Sequence, residues 1–239
     1  MHGLGILYAD QGKLDEAEKM YQRALQGCEK AWGPDHTLTL YTVNNLGNLY
    51  TNQGKLDEAE KMYQRALQGK EKALGSDHTS TLTTVNNLGL LYADQGKLDE
   101  AEKMYQRALQ GYEKALGSDH TSTLDTVNNL GRLYADQGKL DEAEKMYQRA
   151  LQGYEKALGL KNVATYRPAL YTIWNLGSLF AAQEHLDKAK EMYSRACTGF
   201  QVLLGPSSNE CQFLERKIAS LDATQGKCRY FTSFAHIVD

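Results

Sequence analysis

Apolar residues recur along this chain in a fixed alternation of two helical stripes. Between Thr79 and Asp94, Leu82, Val85, Leu88 and Tyr92 fall on one face at helical spacing. Gln95-Gly96-Lys97 then breaks the stripe, and Gly96 suits the left-handed conformation that ends a helix. From Leu98 to Leu116 a second stripe of Ala101, Met104, Tyr105, Ala108, Leu109 and Tyr112 predicts another helix. Asp77 or Thr79 is placed to cap the first helix with a side-chain oxygen. Asp99 and Glu100 sit in the first turn of the second, where the helix dipole favours anions. Gly117 ends it. Gly111, inside it, costs about 1 kcal/mol relative to alanine, which marks a point where a neighbouring helix packs too closely for a side chain.

This two-helix unit is written several times. Leu4, Leu46, Leu88 and Leu130 follow one another at steps of 42 residues, and Leu176 comes 46 later. Segments 85–117 and 127–159 differ only at Leu90 against Arg132, and segments 43–84 and 85–126 differ at five of 42 positions. The fifth copy, from Ile173, keeps the register in NLGSLF and LDKAKEMYSRA. One hairpin cannot bury its own apolar stripe, so copies must stack, each against its neighbours. The organisation read from this is an all-α array over 1–205, with repeats at about 1–42, 43–84, 85–126, 127–172 and 173–205. A capping helix follows over 206–221, built on Phe213, Leu214, Ile218 and Leu221, and then a tail, 222–239, without a clear period.

Composition narrows the function by exclusion. Twenty-seven basic against 30 acidic residues give a net charge of −3, without the footprint of a nucleic-acid or anionic-membrane binder. No apolar run approaches the roughly 20 residues of a membrane span, and the N-terminus does not read as a secretory signal. The four cysteines, Cys28, Cys197, Cys211 and Cys228, form no CxxC pair, which predicts a reduced, cytoplasmic protein. Gly47 to Lys55 resembles a phosphate loop only superficially, since its glycines are misspaced and Leu56 stands where Ser or Thr is needed. His36, His78 and His120 lie one per linker beside an aspartate. Metal or catalytic chemistry needs such groups to converge, so these read as linker or capping residues. The expectation is a non-enzyme with no cofactor and no metal.

The letters L-G-x-L-Y, followed by an alanine and then Tyr and Ala four and seven further on, resemble the tetratricopeptide repeat. In the third copy they are Leu88, Gly89, Tyr92, Ala101, Tyr105 and Ala108. The unit is longer than the family's usual length of about 34, with an extended second helix and an Asp-His linker. TVNNLGLLYADQGKLDEAEKMYQRALQGYEKALGSDH is similar to the repeat of kinesin light chains. The likeness covers about residues 1–205. It implies a right-handed α-solenoid of about five tetratricopeptide helix pairs plus a C-terminal capping helix. It also implies a protein–protein interaction scaffold whose concave groove binds an extended peptide or a partner helix. Numbering a unit so that Leu88 is position 7, the family places positions 2, 5, 9, 12 and 13 of the first helix on that groove.

Four of the five differences between segments 43–84 and 85–126 fall on those positions: Thr83/Asp125, Asn48/Leu90, Thr51/Ala93 and Asn52/Asp94. The fifth, Lys70/Tyr112, lies late in the second helix, and Leu90/Arg132 is again position 9. The outer residues Glu102, Lys103, Gln106 and Arg107 are reproduced between copies. A tuned groove produces this pattern; so does recent duplication with permissive solvent-lined positions. The candidate contact residues are Asn44, Asn86 and Asn128 at position 5, with Trp174 breaking that row. Asn48, Leu90 and Arg132 stand at position 9, Asn52, Asp94 and Asp136 at position 13, and Asp125, Lys70 and Tyr112 complete the set. The Asn row reads either as a backbone-binding ladder for a peptide, an implication of the kinesin light chain likeness, or as a ladder linking repeats. Trp174 reads either as an aromatic anchor or as partly packed core. Lys70 and Arg132 stand against three aspartates, so the basic cluster that an acidic peptide or a C-terminal carboxylate would need is missing.

Two further readings accompany the scaffold. Long, near-identical copies also resemble the ligand-sensing arrays of NTPase receptors of the NB-ARC type. A purely structural or self-associating array is the third. The first copy starts inside its first helix, which leaves apolar surface and implies self-association through that truncated repeat, or a longer protein.

Overall fold

The computed structural model of the chain describes residues 2–235, with side chains for 3–224. The described residues form twelve helices and no strand, the all-α succession of helix pairs that the stripes predict. Two compact units, Met1–Gly117 and Ser118–Asp239, divide the chain. The first contains α1 (His2–Asp10), α2 (Leu14–Trp32), α3 (Thr37–Asn52), α4 (Leu56–Leu74), α5 (Thr79–Asp94) and α6 (Leu98–Leu116). They pack as α1 with α2, α3 with α4 and α5 with α6, and α2 and α4 also pack on the next first helix. The second unit contains α7 (Thr121–Asp136), α8 (Leu140–Leu158), one-turn α9 (Leu160–Val163), α10 (Arg167–Ala182), α11 (Leu186–Leu204) and α12 (Asn209–Ala235). There α7 pairs with α8 and α10 with α11, and α12 packs on α11. The helix expected over 206–221 is thus longer, and of the tail placed at 222–239, residues 236–239 lie outside the described residues.

The helix starts correct one detail of the sequence reading. The cap of α5 is His78, whose Nδ1 accepts from the Ser80 N–H at 3.1 Å; Asp77 and Thr79 do not serve. His36 and His120 cap α3 and α7 in the same way. Asp77 instead accepts from Lys114 of the next pair at 2.8 Å. At the helix ends Gly96 takes φ +74, and the Lys97 N–H reaches back to the Tyr92 carbonyl at 2.8 Å, closing the last turn. In the fifth copy Glu184 holds that left-handed position at φ 63 with the same closure, His185 N–H to Phe180 O at 2.8 Å.

Every helix pair after α1–α2 is closed at two points by bare backbone. A Cβ on Gly89 of α5 would stand 2.8 Å from the Tyr105 ring of α6, and a Cβ on Gly111 of α6 would stand 2.5 Å from Leu82 of α5. Tyr105 and Leu82 are fully buried in this contact. The same reciprocal arrangement joins Gly47 with Tyr63 and Gly69 with Leu40, Gly131 with Tyr147 and Gly153 with Leu124, and Gly177 with Tyr193 and Gly199 with Leu170. Gly111 is therefore the close approach that its helix-breaking cost implies.

Within each unit, successive pairs are joined by charge. Arg65 meets Glu29 and Arg107 meets Glu71, each at 2.6 Å, and Arg195 meets Glu155 at 2.6 Å in the second unit. Glu60 accepts from Gln95 at 3.1 Å and Lys97 at 3.2 Å, and Glu18 accepts from Gln53 and Lys55 at 3.0 Å. Burial pushes the Glu60 carboxyl up, but the Gln95 and Lys97 bonds outweigh it and hold it below its ordinary value. Half-exposed pairs of this kind contribute little each, but they fix the register between pairs. They also change the reading of the outer face. Arg107 is an inter-pair ion partner, so the constancy of that letter has a packing cause; Gln106 donates to Glu102 of its own helix at 3.0 Å.

Gly111→Ala is expected to destabilise the protein by about 1–2 kcal/mol, overpacking exceeding the gain in helix propensity. Gly27→Ala occupies the same column of the first pair, where nothing lies within 4 Å of an added Cβ, and should stabilise by up to about 1 kcal/mol. Urea unfolding followed by circular dichroism distinguishes them; shifts of the same sign would contradict the close approach.

Candidate functional site

The candidate residues do not share one environment. Asn44, Lys70 and Tyr112, expected at a binding surface, are buried to 4%, 2% and 4% exposure. Their polar atoms serve contacts between helices. Lys70 Nζ donates to the Ser80 carbonyl at 3.1 Å and to Thr84 Oγ1 at 2.9 Å, and Thr84 donates onward to Asn44 Oδ1 at 2.9 Å. This chain ties α4 to α5 and α3 to α5. Tyr112 shares a 2.9 Å hydrogen bond with Thr83 of its own pair. In the next pair Tyr154 donates to Asp125, and in the fifth copy Phe200 meets Tyr171 edge-on at 5.2 Å. Position 2 and the late second-helix column are therefore contact partners, and the edits at Thr83/Asp125 and Lys70/Tyr112 fall on both ends of this contact.

The Asn row carries a ladder between repeats. Asn44 is its first rung, and Asn128 Oδ1 accepts from Thr172 at 3.0 Å and from Asn175 Nδ2 at 3.3 Å. One column over, Asn48 Oδ1 accepts from Tyr63 at 2.6 Å and from Asn87 at 3.0 Å. Asn86 and Leu90 are half-buried, whereas Asn52, Asp94 and Asp136 are exposed. Trp174 packs among aromatic rings: it stacks on Tyr171 at 5.9 Å, lies against Phe213 at 5.0 Å and meets Phe200 edge-on at 6.1 Å. That is the packed-core alternative for this residue.

Each unit has a hollow on the face of its first helices. In the first, about 290 Å³ is lined by Ile6 and Asp10 of α1, Tyr21 of α2, and Tyr41, Asn48 and Asn52 of α3. In the second, about 500 Å³ is lined by Asp125, Asn128 and Arg132 of α7 and by Arg167, Tyr171 and Asn175 of α10. The second hollow gathers both signs of charge. Burial pushes the Asp125 carboxyl up, with the Tyr154 bond opposing it, and burial together with Asp125 holds the Tyr154 phenol far above its ordinary value. With its oxygen taken, Asn128 has only its amide N–H donors left to offer a ligand. Arg167 and Asn175 were missed by the sequence reading because they belong to the degenerate fifth copy. Tyr171 was legible in principle, since it occupies the position-2 column of Asp125.

Lys70 is the one perturbed lysine among these residues, and burial pushes it down to about 8. Between about 8 and the ordinary value of 10.5 the unfolded chain holds the extra proton, so this group's contribution to stability rises with pH through that window. Lys70→Met is expected to stabilise the protein at pH 7 by about 1–3 kcal/mol, the scale of an unpaired buried charge. That advantage should shrink as the pH climbs from 8 to 10. Urea midpoints for both proteins across that range check it; a pH-independent difference would refute it.

Comparison with known proteins agrees with this geometry. The sequence profile of the tetratricopeptide repeat matches residues 1–72, 41–114 and 80–156. No curated protein matches. Among solved structures, BtubC (BKLC) from P. vanneervenii is similar at TM-score 0.67 and 28% identity, over 81% of this chain and 75% of that one. A Podosopora anserina protein described as a putative kinesin light chain with nearly identical TPR-like repeats is similar at TM-score 0.66 and 22% identity, over 84% and 93%. A single-substitution variant of that protein gives 0.67 and 22%, over 84% and 92%. Among the described residues no helix is long and apolar enough to cross a membrane.

Proposed function

Because the chain belongs to the tetratricopeptide repeat family, we propose that it is a non-catalytic interaction scaffold binding an extended peptide or partner helix along the face of its first helices. The observation that carries this reading is the hollow between α7 and α10, where two positions that differ between near-identical copies, 125 and 132, meet around Asn128. Two guanidinium groups, one carboxylate, amide donors and the part-exposed Tyr171 ring surround one volume. Such a mixed set suits a polypeptide, which offers carbonyls, N–H groups and side chains of both signs, better than a single-sign ligand. The tetratricopeptide fold shared with these structures supports the scaffold reading.

The contact set is then Asn48, Asn52, Asn86, Leu90 and Asp94 in the first unit, and Asp125, Asn128, Arg132 and Asp136 in the second. Asn44, Lys70 and Tyr112 brace the helices that carry the first-unit residues, and Trp174 stacks on Tyr171. The scaffold works in the cytoplasm, where the thiols of Cys28, Cys197 and Cys211, free in the structure, remain reduced.

Peptides selected from a displayed random library against the full chain test this. Arg132→Leu and Asp125→Thr install the letters that the third copy carries at Leu90 and Thr83, so folding is spared. Each is expected to weaken the selected peptides by about tenfold, the threshold of an interface hot spot. Failure to enrich any peptide, or equal affinity for the variants, would favour a structural array.

A further inference from the structure

The repeat supplies its own control for a second cavity, away from the first-helix face. At the α7–α8 pair a hollow of about 230 Å³ is bordered by Ser118, Asp119, Gln152 and Lys156, with Lys156 and Asp119 paired at 2.5 Å. At the α10–α11 pair, 46 residues on, the counterpart hollow measures about 510 Å³. There the same four positions read Ala164, Thr165, Thr198 and Val202. A charged pair and an amide have given way to small and apolar groups, and the space has roughly doubled.

The four-residue insertion builds one wall. Val163, at the end of α9, is fully buried, and the Ala164 carbonyl lies so near α11 that a Cβ on Gly199 would stand 2.6 Å from it. Leu170 and Ile173 of α10 form an apolar floor. Leu160 and Val202 flank the hollow at 70% exposure each. The remaining charges on the lining, Arg195 and Glu155, neutralise one another at 2.6 Å.

We propose that this cavity is a binding site for a small, neutral, lipophilic molecule. Its volume falls in the range of small-ligand sites, and its walls come from three helices and α9 rather than from one flat face. An ionic ligand would give up hydration here without gaining a free counter-charge, because Arg195 and Glu155 are already paired. An aliphatic or aromatic ligand instead removes Leu160 and Val202 from water and gains contact with the Leu170 and Ile173 floor. The site shares no lining residue with the hollow between α7 and α10.

Nile red fluorescence with the full chain tests the proposal. Wild-type protein should show saturable, blue-shifted emission at one site per chain. Thr165→Asp/Val202→Lys restores the letters of the preceding pair, and Leu160→Asp places a charge at an exposed position. Both variants should melt like wild type and bind the dye at least about tenfold more weakly. Decanol should displace the dye, and decanoate of equal chain length should do so at least about tenfold less well. Absence of saturable binding, equal binding by both variants, or equal displacement by decanoate would overturn it.

Discussion

The close approach of the two helices within each pair is the constraint on which everything else rests. A ring on the second helix lies across a glycine of the first, and in every pair after α1–α2 a leucine of the first lies across a glycine of the second. Both glycines carry a propensity cost inside a helix, and both would clash with a neighbour if given a Cβ. Because the two contacts lie far apart along the hairpin, they fix both spacing and register. Once a pair is set this way, its apolar stripes and its Arg and Glu side chains emerge at the same places in every copy. The interface between pairs can then be repeated with few changes.

That economy explains which letters are free to differ. Substitutions between copies fall either on exposed and half-buried positions of the first helices or on contact partners. The Thr83–Tyr112, Asp125–Tyr154 and Tyr171–Phe200 contacts occupy one pair of columns with different chemistry each time. Lys70 departs furthest: a buried ammonium stands where the later copies carry an aromatic ring, and it is accommodated by bonds to Ser80 and Thr84 rather than by a counter-charge. The copies are thus less interchangeable than their identity suggests, because a single edit in a buried column rewires the contact to the following helix.

The second unit concentrates the departures. Arg167 and Tyr171 bring a cation and a part-exposed ring to the hollow shared with Asp125 and Arg132. The insertion that forms α9 opens a separate apolar cavity on the side of Gly199. Both features arise where the 42-residue step becomes 46, since four extra residues free the α8–α10 connection from the geometry that the other linkers enforce.

The sequence by itself determined the helices, their pairing and the meaning of Gly111, because these depend on local periodicity and on a steric penalty that a single letter reveals. It also located the columns where copies differ. Only the tertiary structure decided which side of the protein surface those columns occupy. Asn44, Lys70 and Tyr112 are buried because an adjacent helix covers them, and Trp174 is drawn into a ring cluster by Phe213, which lies 39 residues away in sequence. His78, not Asp77, caps its helix because Asp77 is engaged by Lys114 of the following pair. Except for Tyr112, which its own pair covers, these outcomes depend on partners in the following repeat, and periodicity within one unit does not encode them.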